Sequence, residues 1–343
     1  MASLLERMQS SGSIKTAEVV SKSAFLNVRE IIPTPIPIIN VAFSGRLDGG
    51  FVPGLTILAG DSRTFKTLLS LLLLKSYLDK YDDGIAIIYD VERGMTVDYL
   101  TMIGIDTERV VIIRDIFHIE EMKFDMIKRL NEVKKGDHVF VMVDSIGQIA
   151  SKKEIEDAIE EKSVADMTRA KALRSFLRVI MPHLLIKDIP CVMIAHTYNT
   201  MELYSKAVIG GGTAIMYMAN QAFIITRAQE KNSQKELTGW NFTINIEKSR
   251  FVRDKAKLTF TVTFEEGVDP TSGLLEEAIE YGIIKQGGAW YTLNFNGVEK
   301  KLQSKDMTVE FWEPILLDEG FNTFVQEKYK LNGVYNEENS IED

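Results

Sequence analysis

The chain carries one cysteine, four histidines and eight prolines in 343 residues. One thiol excludes an intramolecular disulfide framework and any metal cluster built from several cysteines. Cys191 lies in the apolar run "PCVMIA", a setting that suits a small buried hydrophobe rather than a nucleophile. Positive charge is in deficit: 40 basic residues stand against 49 acidic ones, a formal net charge of −9. That excludes a protein that coats duplex DNA by bulk attraction, although local patches can still act. Long apolar runs are missing as well. The amino-terminal "MASLLERMQSSGS" lacks a secretory core, and no run approaches the roughly 20 apolar residues needed to span a bilayer. A cytoplasmic protein without membrane contact is expected, and no internal repeat is visible.

What is present is the composition of a globular chain, 45% hydrophobic and 26% charged, enough for one large domain with appendages. Short apolar runs alternate with longer helical patterns: "LTILA" at 55–59, "IAIIY" at 85–89, "VVII" at 110–113, "VFVMV" at 139–143, "CVMIA" at 191–195 and "AFIIT" at 222–226. Continuously apolar strands are covered on both faces, so a mostly parallel central sheet flanked by helices is expected. The run "LLSLLLL" at 68–74 reads as a helix buried on most sides. After residue 236, "FTINIEKS" and "KLTFTVTF" read as antiparallel strands added at one edge. From 271 a small α+β module follows, with a helix in "SGLLEEAIEYGI" and a hairpin turned at Asn296-Gly297, two residues that tolerate positive φ.

The expected organisation is therefore α/β: residues 1–40 a helix plus an extended segment, 41–270 the core, 271–335 the module and 336–343 an acidic tail. The prolines of "IIPTPIPIIN" predict an extended path that belongs at a sheet edge or on another subunit.

The motif that carries chemistry is "GDSRTFKT", Gly60, Asp61, Ser62, Arg63, Thr64, Phe65, Lys66 and Thr67. It departs from the phosphate-binding pattern GxxxxGK[ST] only in placing Phe65 at the second glycine. A strand runs into this turn and a helix leaves it, so backbone N–H groups and the helix dipole converge on an anion. A left-handed conformation at Phe65 would cost about 1–2 kcal/mol, small beside a multidentate triphosphate grip. Lys66 would neutralise phosphate, and Thr67 would bind Mg²⁺ together with Asp144 at the end of "VFVMVD". Asp90 and Glu92 follow another strand in "YDVERG", and Glu92 is the expected base toward water. All these residues fall at carboxyl ends of strands, where open α/β sheets bind ligands.

Two long stretches lie at the same edge, residues 151–166 and 198–213, the second containing Gly210-Gly211-Gly212. On the helix after the first, Lys171, Arg174 and Arg178 share a solvent face, whereas Arg169 falls on the apolar side and needs a partner from the loops or from a phosphate.

In the order "GDSRTFKT", "YDVERG", "VDSIGQIASKKE", "IAHTYNT", "GGGTAIMYMAN" and "EKSR", the chain resembles the RecA-family recombinases, those of T-even-type phages in particular, from about residue 14 through "GGAWYTL". The phage members also carry Phe at the position of Phe65. The resemblance implies a RecA-like ATPase fold, ATP and Mg²⁺ as ligands, and DNA-stimulated ATP hydrolysis coupled to strand exchange. It implies a helical filament on single-stranded DNA, pairing with homologous duplex, and single-strand-binding and mediator proteins as partners. The segment 14–40 would dock on a neighbouring subunit.

By resemblance, Tyr99 packs on adenine, and Lys248 and Arg250 reach a neighbour's triphosphate from one strand face. His196 stands where bacterial members place a glutamine that relays nucleotide state to the DNA loops. Imidazole titrates near 6.5, so coupling that varies with pH is expected. Arg169, Lys206, Tyr198, Tyr204, Gly211 and Gly212 are the expected DNA-binding residues. Two rivals share the core: a ring-forming helicase motor, and a filament protein whose Phe65 has spoiled hydrolysis.

Overall fold

A computed structural model describes residues 3–14, 17–19, 21, 30–161, 168–199, 207–211, 213–232 and 234–331. In chain order the main elements are α1 (Leu4–Ser11), α2 (Pro37–Ser44), β1 (Gly54–Gly60), α3 (Lys66–Lys80), β2 (Ile85–Asp90), α4 (Val97–Ile103), β3 (Val110–Ile113), α5 (Ile119–Glu132), β4 (Val139–Asp144), α6 (Lys152–Ile159), α7 (Thr168–Ile186), β5 (Pro190–Asn199), β6 (Ala207–Ile209), α8 (Thr213–Met218), β7 (Gln221–Lys231), β8 (Leu237–Lys248), β9 (Lys257–Thr263) and β10 (Gly267–Val268). The chain then continues through α9 (Leu274–Tyr281), β11 (Ile284–Gly287), β12 (Trp290–Phe295), β13 (Val298–Leu302), α10 (Val309–Leu316) and α11 (Glu319–Tyr329).

The large sheet has the order β10-β9-β8-β7-β1-β5-β4-β2-β3, with β6 attached to β5. Its strands from β7 to β3 run parallel, and β8 to β10 extend it antiparallel. Because side chains alternate along a strand, the sheet divides the core in two. Leu58, Ile88, Met142 and Ile194 join α3 on one face; Ile57, Tyr89, Val143 and Met193 join α5 and α7 on the other. Cys191 is fully buried, and burial pushes its thiol pKa upward.

Three expectations need correction. First, β3 is the sheet edge, so Val111 and Ile112 are 42% and 38% exposed rather than covered on both faces. Second, the proline-rich segment does not stay extended: Pro37 opens α2, where its missing N–H costs nothing. Ile32, Ile36, Ile38 and Ile39 bury in this chain's own core rather than on another subunit. Third, residues 152–159 form α6, started by a capping box in which Ser151 and Glu154 exchange side-chain to backbone bonds.

In the carboxyl-terminal module β11, β12 and β13 make a small antiparallel sheet. Asn296 and Gly297 take φ of 50° and 75° at its hairpin, the doubly positive geometry of a type I′ turn. The module's Leu274, Trp312, Phe321 and Val325 belong to the same apolar cluster as Phe260 of β9 and Ile38 of α2. Glu277 of α9, itself buried, accepts from Tyr329 Oη at 2.6 Å and Lys328 Nζ at 2.8 Å, which ties α11 back to α9. The tail 336–343 lies outside the described residues.

Candidate nucleotide site and its flanking loops

Four adjacent strands, β1, β5, β4 and β2, end at one rim of the sheet. The register sets Gly60 beside His196 and Asp90 beside Asp144. Between these ends lies a pocket of about 220 Å³ lined by Ser62 to Leu68, Glu92, Tyr99, Asp144, Ile194 and His196.

The turn from Gly60 to Phe65 explains its own sequence. A Cβ at residue 60 would meet Ile225 O at 2.5 Å and Thr64 Oγ1 at 2.7 Å, so only glycine fits. Phe65 is the N-cap of α3 with φ 67° and ψ 10°: this slot does demand the left-handed conformation. Its ring lies 4.9 Å from Phe242 and 5.5 Å from Phe260, centroid to centroid. Aromatic pairs contribute about 0.5–1.5 kcal/mol each beyond area burial, which offsets the backbone strain. The turn therefore survives the loss of its glycine because the substituting ring is packed on β8 and β9.

Lys66 is buried and donates from Nζ to Gly60 O at 3.0 Å and Asp61 O at 2.6 Å. Burial lowers its pKa, opposed by the charges of Asp144, Glu92 and Asp61. Thr67 Oγ1 donates to Asp144 Oδ2 at 2.7 Å. Asp144 is 4% exposed, and its Oδ1 has no hydrogen-bond partner, nor does the neighbouring Ser145 Oγ. Desolvation is the largest influence on Asp144, lifting its pKa to about 6 against the Thr67 bond; Glu92 and Asp90 add to the rise and Lys66 opposes it. A buried carboxylate with an orphaned oxygen beside a hydroxyl and a lysine fits a hard cation that keeps most of its water and phosphate ligands, as Mg²⁺ does. The peptide bond between Asp144 and Ser145 is cis.

The two acidic residues after β2 have separate places. Asp90 is buried and accepts from Gly94 N at 3.1 Å and Met95 N at 3.2 Å, with Arg114 Nε at 3.3 Å. It shapes the turn. Glu92 lines the pocket, with Oε1 3.2 Å from His196 Nε2 and accepting from Gln148 Nε2 at 3.0 Å. Thr197 Oγ1 donates to Asp61 Oδ1 at 2.8 Å, linking the phosphate turn to β5. Gln148 and Thr197 were not singled out by the sequence, since neither belongs to the spaced pattern around Lys66.

Beyond His196, β5 pairs antiparallel with β6, Thr197 with Ile209 and Tyr198 with Val208. Tyr198 is 54% exposed on this ribbon. Gly210 donates to His196 O at 2.8 Å. Gly211 takes φ +103°, where an added Cβ would overlap Ile215, so this glycine serves close packing as well as freedom. Tyr204, Lys206 and Gly212 lie outside the described residues.

Arg169 finds its partner in the loop backbone: its guanidinium donates to Ile146 O at 3.1 Å, Gly147 O at 2.5 Å and Ile149 O at 3.0 Å. Lys171, Arg174 and Arg178 are exposed opposite buried Leu173, Phe176 and Ile180, as their spacing predicts. Lys248 donates to Met216 O at 2.7 Å and Tyr217 O at 2.9 Å, at the carboxyl end of α8. Burial, and then the adjacent Arg250 charge, hold its pKa below the ordinary lysine value. β8 ends at Lys248, so Arg250 sits in the exposed bend beyond it and the two do not share a strand face.

Residues 31–269 match the family model of the RecA N-terminal domain. The chain is similar to the "Recombination and repair protein" of Enterobacteria phage T4, 39% identical over 97% of this chain and 88% of that protein. It is also similar to "Protein RecA" of Oleidesulfovibrio alaskensis, 24% identical over 89% of this chain and 83% of the relative. "Protein RecA" of Malacoplasma penetrans is 23% identical over 72% and 73% respectively.

Proposed function

The chain belongs to the RecA family of recombinases, and we propose that it polymerises on single-stranded DNA and pairs it with homologous duplex, hydrolysing ATP as it does so. The observation that carries the ATPase reading is the convergence of Lys66, Thr67, Asp144 with its orphaned Oδ1, and Glu92 on one pocket. The turn's backbone donors and Lys66 hold the phosphates, and Tyr99, which lines the same pocket, stacks on the base. Thr67 and Asp144 would hold Mg²⁺, which would supply charge neutralisation on the phosphates. Glu92 accepts a proton as water attacks the terminal phosphorus; the bond to the bridging oxygen breaks and ADP leaves with phosphate.

Homology is read by base pairing, and the protein contributes backbone neutralisation and stacking. Tyr198 and Gly211 would face the DNA, and Lys206, Tyr204 and Gly212, outside the described residues, are taken as its further contacts from the family resemblance; Arg169 holds the turn at residues 146–149 through its carbonyl contacts and is not assigned to phosphate. The helix α1 exposes Leu4, Leu5 and Met8 at 61%, 59% and 64%. These apolar residues suit docking on the next subunit, whose ATP Lys248 and Arg250 then approach. Single-strand-binding and mediator proteins are the expected loading partners, and the host cytoplasm is the expected compartment.

The packing of Phe65 on Phe242 and Phe260 supports a turn that keeps its phosphate-binding shape, and so favours the hydrolysing reading over an ATP-switched filament protein. Strand exchange between circular single strands and homologous linear duplex, with Mg²⁺ and ATP, tests the whole reading. Joint molecules and phosphate release are expected together. ATP-dependent rings that unwind duplex without pairing strands would instead identify a helicase motor.

A further inference from the structure

The turn between β4 and α6 is more rigidly held than a loop needs to be. Ile146 and Ile149 are 1% and 3% exposed, Ile146 N donates to Ile194 O at 2.9 Å, and Arg169 grips three carbonyls within residues 146–149. Gly147 packs closely against His196: an added Cβ would come within 3.1 Å of His196 Cδ2. From this fixed base one side chain, Gln148, crosses to the pocket. Its Nε2 donates to Glu92 Oε1 at 3.0 Å, the same oxygen that faces His196 Nε2.

A glutamate with a third of its side chain exposed has several rotamers of similar energy. Two groups converging on Oε1, from two different strand ends, select one of them and leave Oε2 to receive a proton. We infer that Gln148 is a positioning residue for Glu92, with Arg169 acting behind it by fixing the turn that carries it. The inference deepens the ATPase reading of this pocket and rests on it. A general base that loses its fixed orientation by about 1 Å can lose up to about 100-fold in rate while the substrate still binds.

The test is steady-state ATP hydrolysis on single-stranded DNA by full-length wild type, Gln148→Met, Gln148→Lys and Glu92→Gln. Methionine keeps the length and packing of glutamine but has no donor; lysine restores one. The expected result is a kcat about tenfold lower in Gln148→Met, with KM for ATP within about twofold of wild type, and a recovery of most of the loss in Gln148→Lys. A Gln148→Met enzyme with wild-type kcat overturns the positioning role while Glu92→Gln still abolishes turnover, so the underlying reading stands. Equal losses in Met and Lys with a raised KM also overturn it, since they mark a packing or binding role. Wild-type turnover that is indifferent to Glu92→Gln overturns the ATPase reading itself, and the role of Gln148 with it.

Discussion

Two residues show opposing effects being decided by magnitude. At Phe65 the left-handed backbone costs about 1–2 kcal/mol, and two ring contacts recover a similar sum. Replacing it with glycine relieves the strain but removes half-buried apolar surface and both contacts. Phe65→Gly is therefore expected to lower unfolding stability by about 1–2 kcal/mol and leave nucleotide affinity within about threefold. Urea unfolding and nucleotide titration on the same sample check both. At Asp144 the folded pKa of about 6 lies above the ordinary 3.8. Between these values the folded chain holds a proton that the unfolded chain releases, so stability falls as pH rises from about 4 to about 6 and stays low above it. Asp144→Asn should then stabilise the nucleotide-free chain at pH 8 by up to about 3 kcal/mol. At pH 4 the gain should vanish, and the thermal protection given by Mg²⁺ and ATP should be lost. A midpoint at pH 8 equal to or below that of wild type would contradict this account of the orphaned carboxylate.

Among elements, the module is held to the core by α11. Residue 330 bridges to Val252 of the core and Arg253 N donates to Tyr329 O at 2.9 Å, while Tyr329 Oη bonds to the buried Glu277 of α9 within the module. Tyr329→Phe deletes one hydrogen bond to a buried charge and should cost about 1.5–3 kcal/mol in urea unfolding; an unchanged midpoint would show that the bond contributes nothing net. The elements also mark how far sequence could be read. The parallel strands were legible because burial on both faces leaves uninterrupted apolar runs, and Asn296-Gly297 because its turn needs those residue types. α6 was not recognised, because its apolar positions Ile155, Ala158 and Ile159 span barely one turn in a charged stretch and none of them is buried; the capping box in "SKKE" was the other signal. The segment before α2 misled because Pro37 is as compatible with a helix start as with an extended chain.

For the whole molecule, His196 was singled out by resemblance alone, whereas Lys66, Glu92 and Asp144 could be found from spacing, since each follows a recognisable strand. The link from Gln148 to Glu92 could not, because it joins residues 56 apart through the sheet order rather than through the chain. The same sheet order sets Lys248 at the end of β8 and Arg250 in the bend after it, and neither lines the pocket of their own chain; the proposal gives them to a neighbour's. Lys248→Ala is thus expected to keep nucleotide affinity and to lose cooperative, DNA-dependent hydrolysis by tenfold or more. Mixing it with a Lys66→Ala subunit should recover part of the activity, because each interface needs one intact partner from each side. Mixtures no more active than either variant alone would contradict an intersubunit site.

The most direct measurement is single-turnover cleavage of ATP by wild type and Glu92→Gln, both saturated with Mg²⁺ and single-stranded DNA. The account predicts that both bind ATP with similar affinity, that wild type releases phosphate, and that the glutamine variant is slower by at least about 100-fold. Equal rates in the two proteins would show that the carboxylate beside Lys66 and Asp144 does not act on water, and the function built on this pocket would fail.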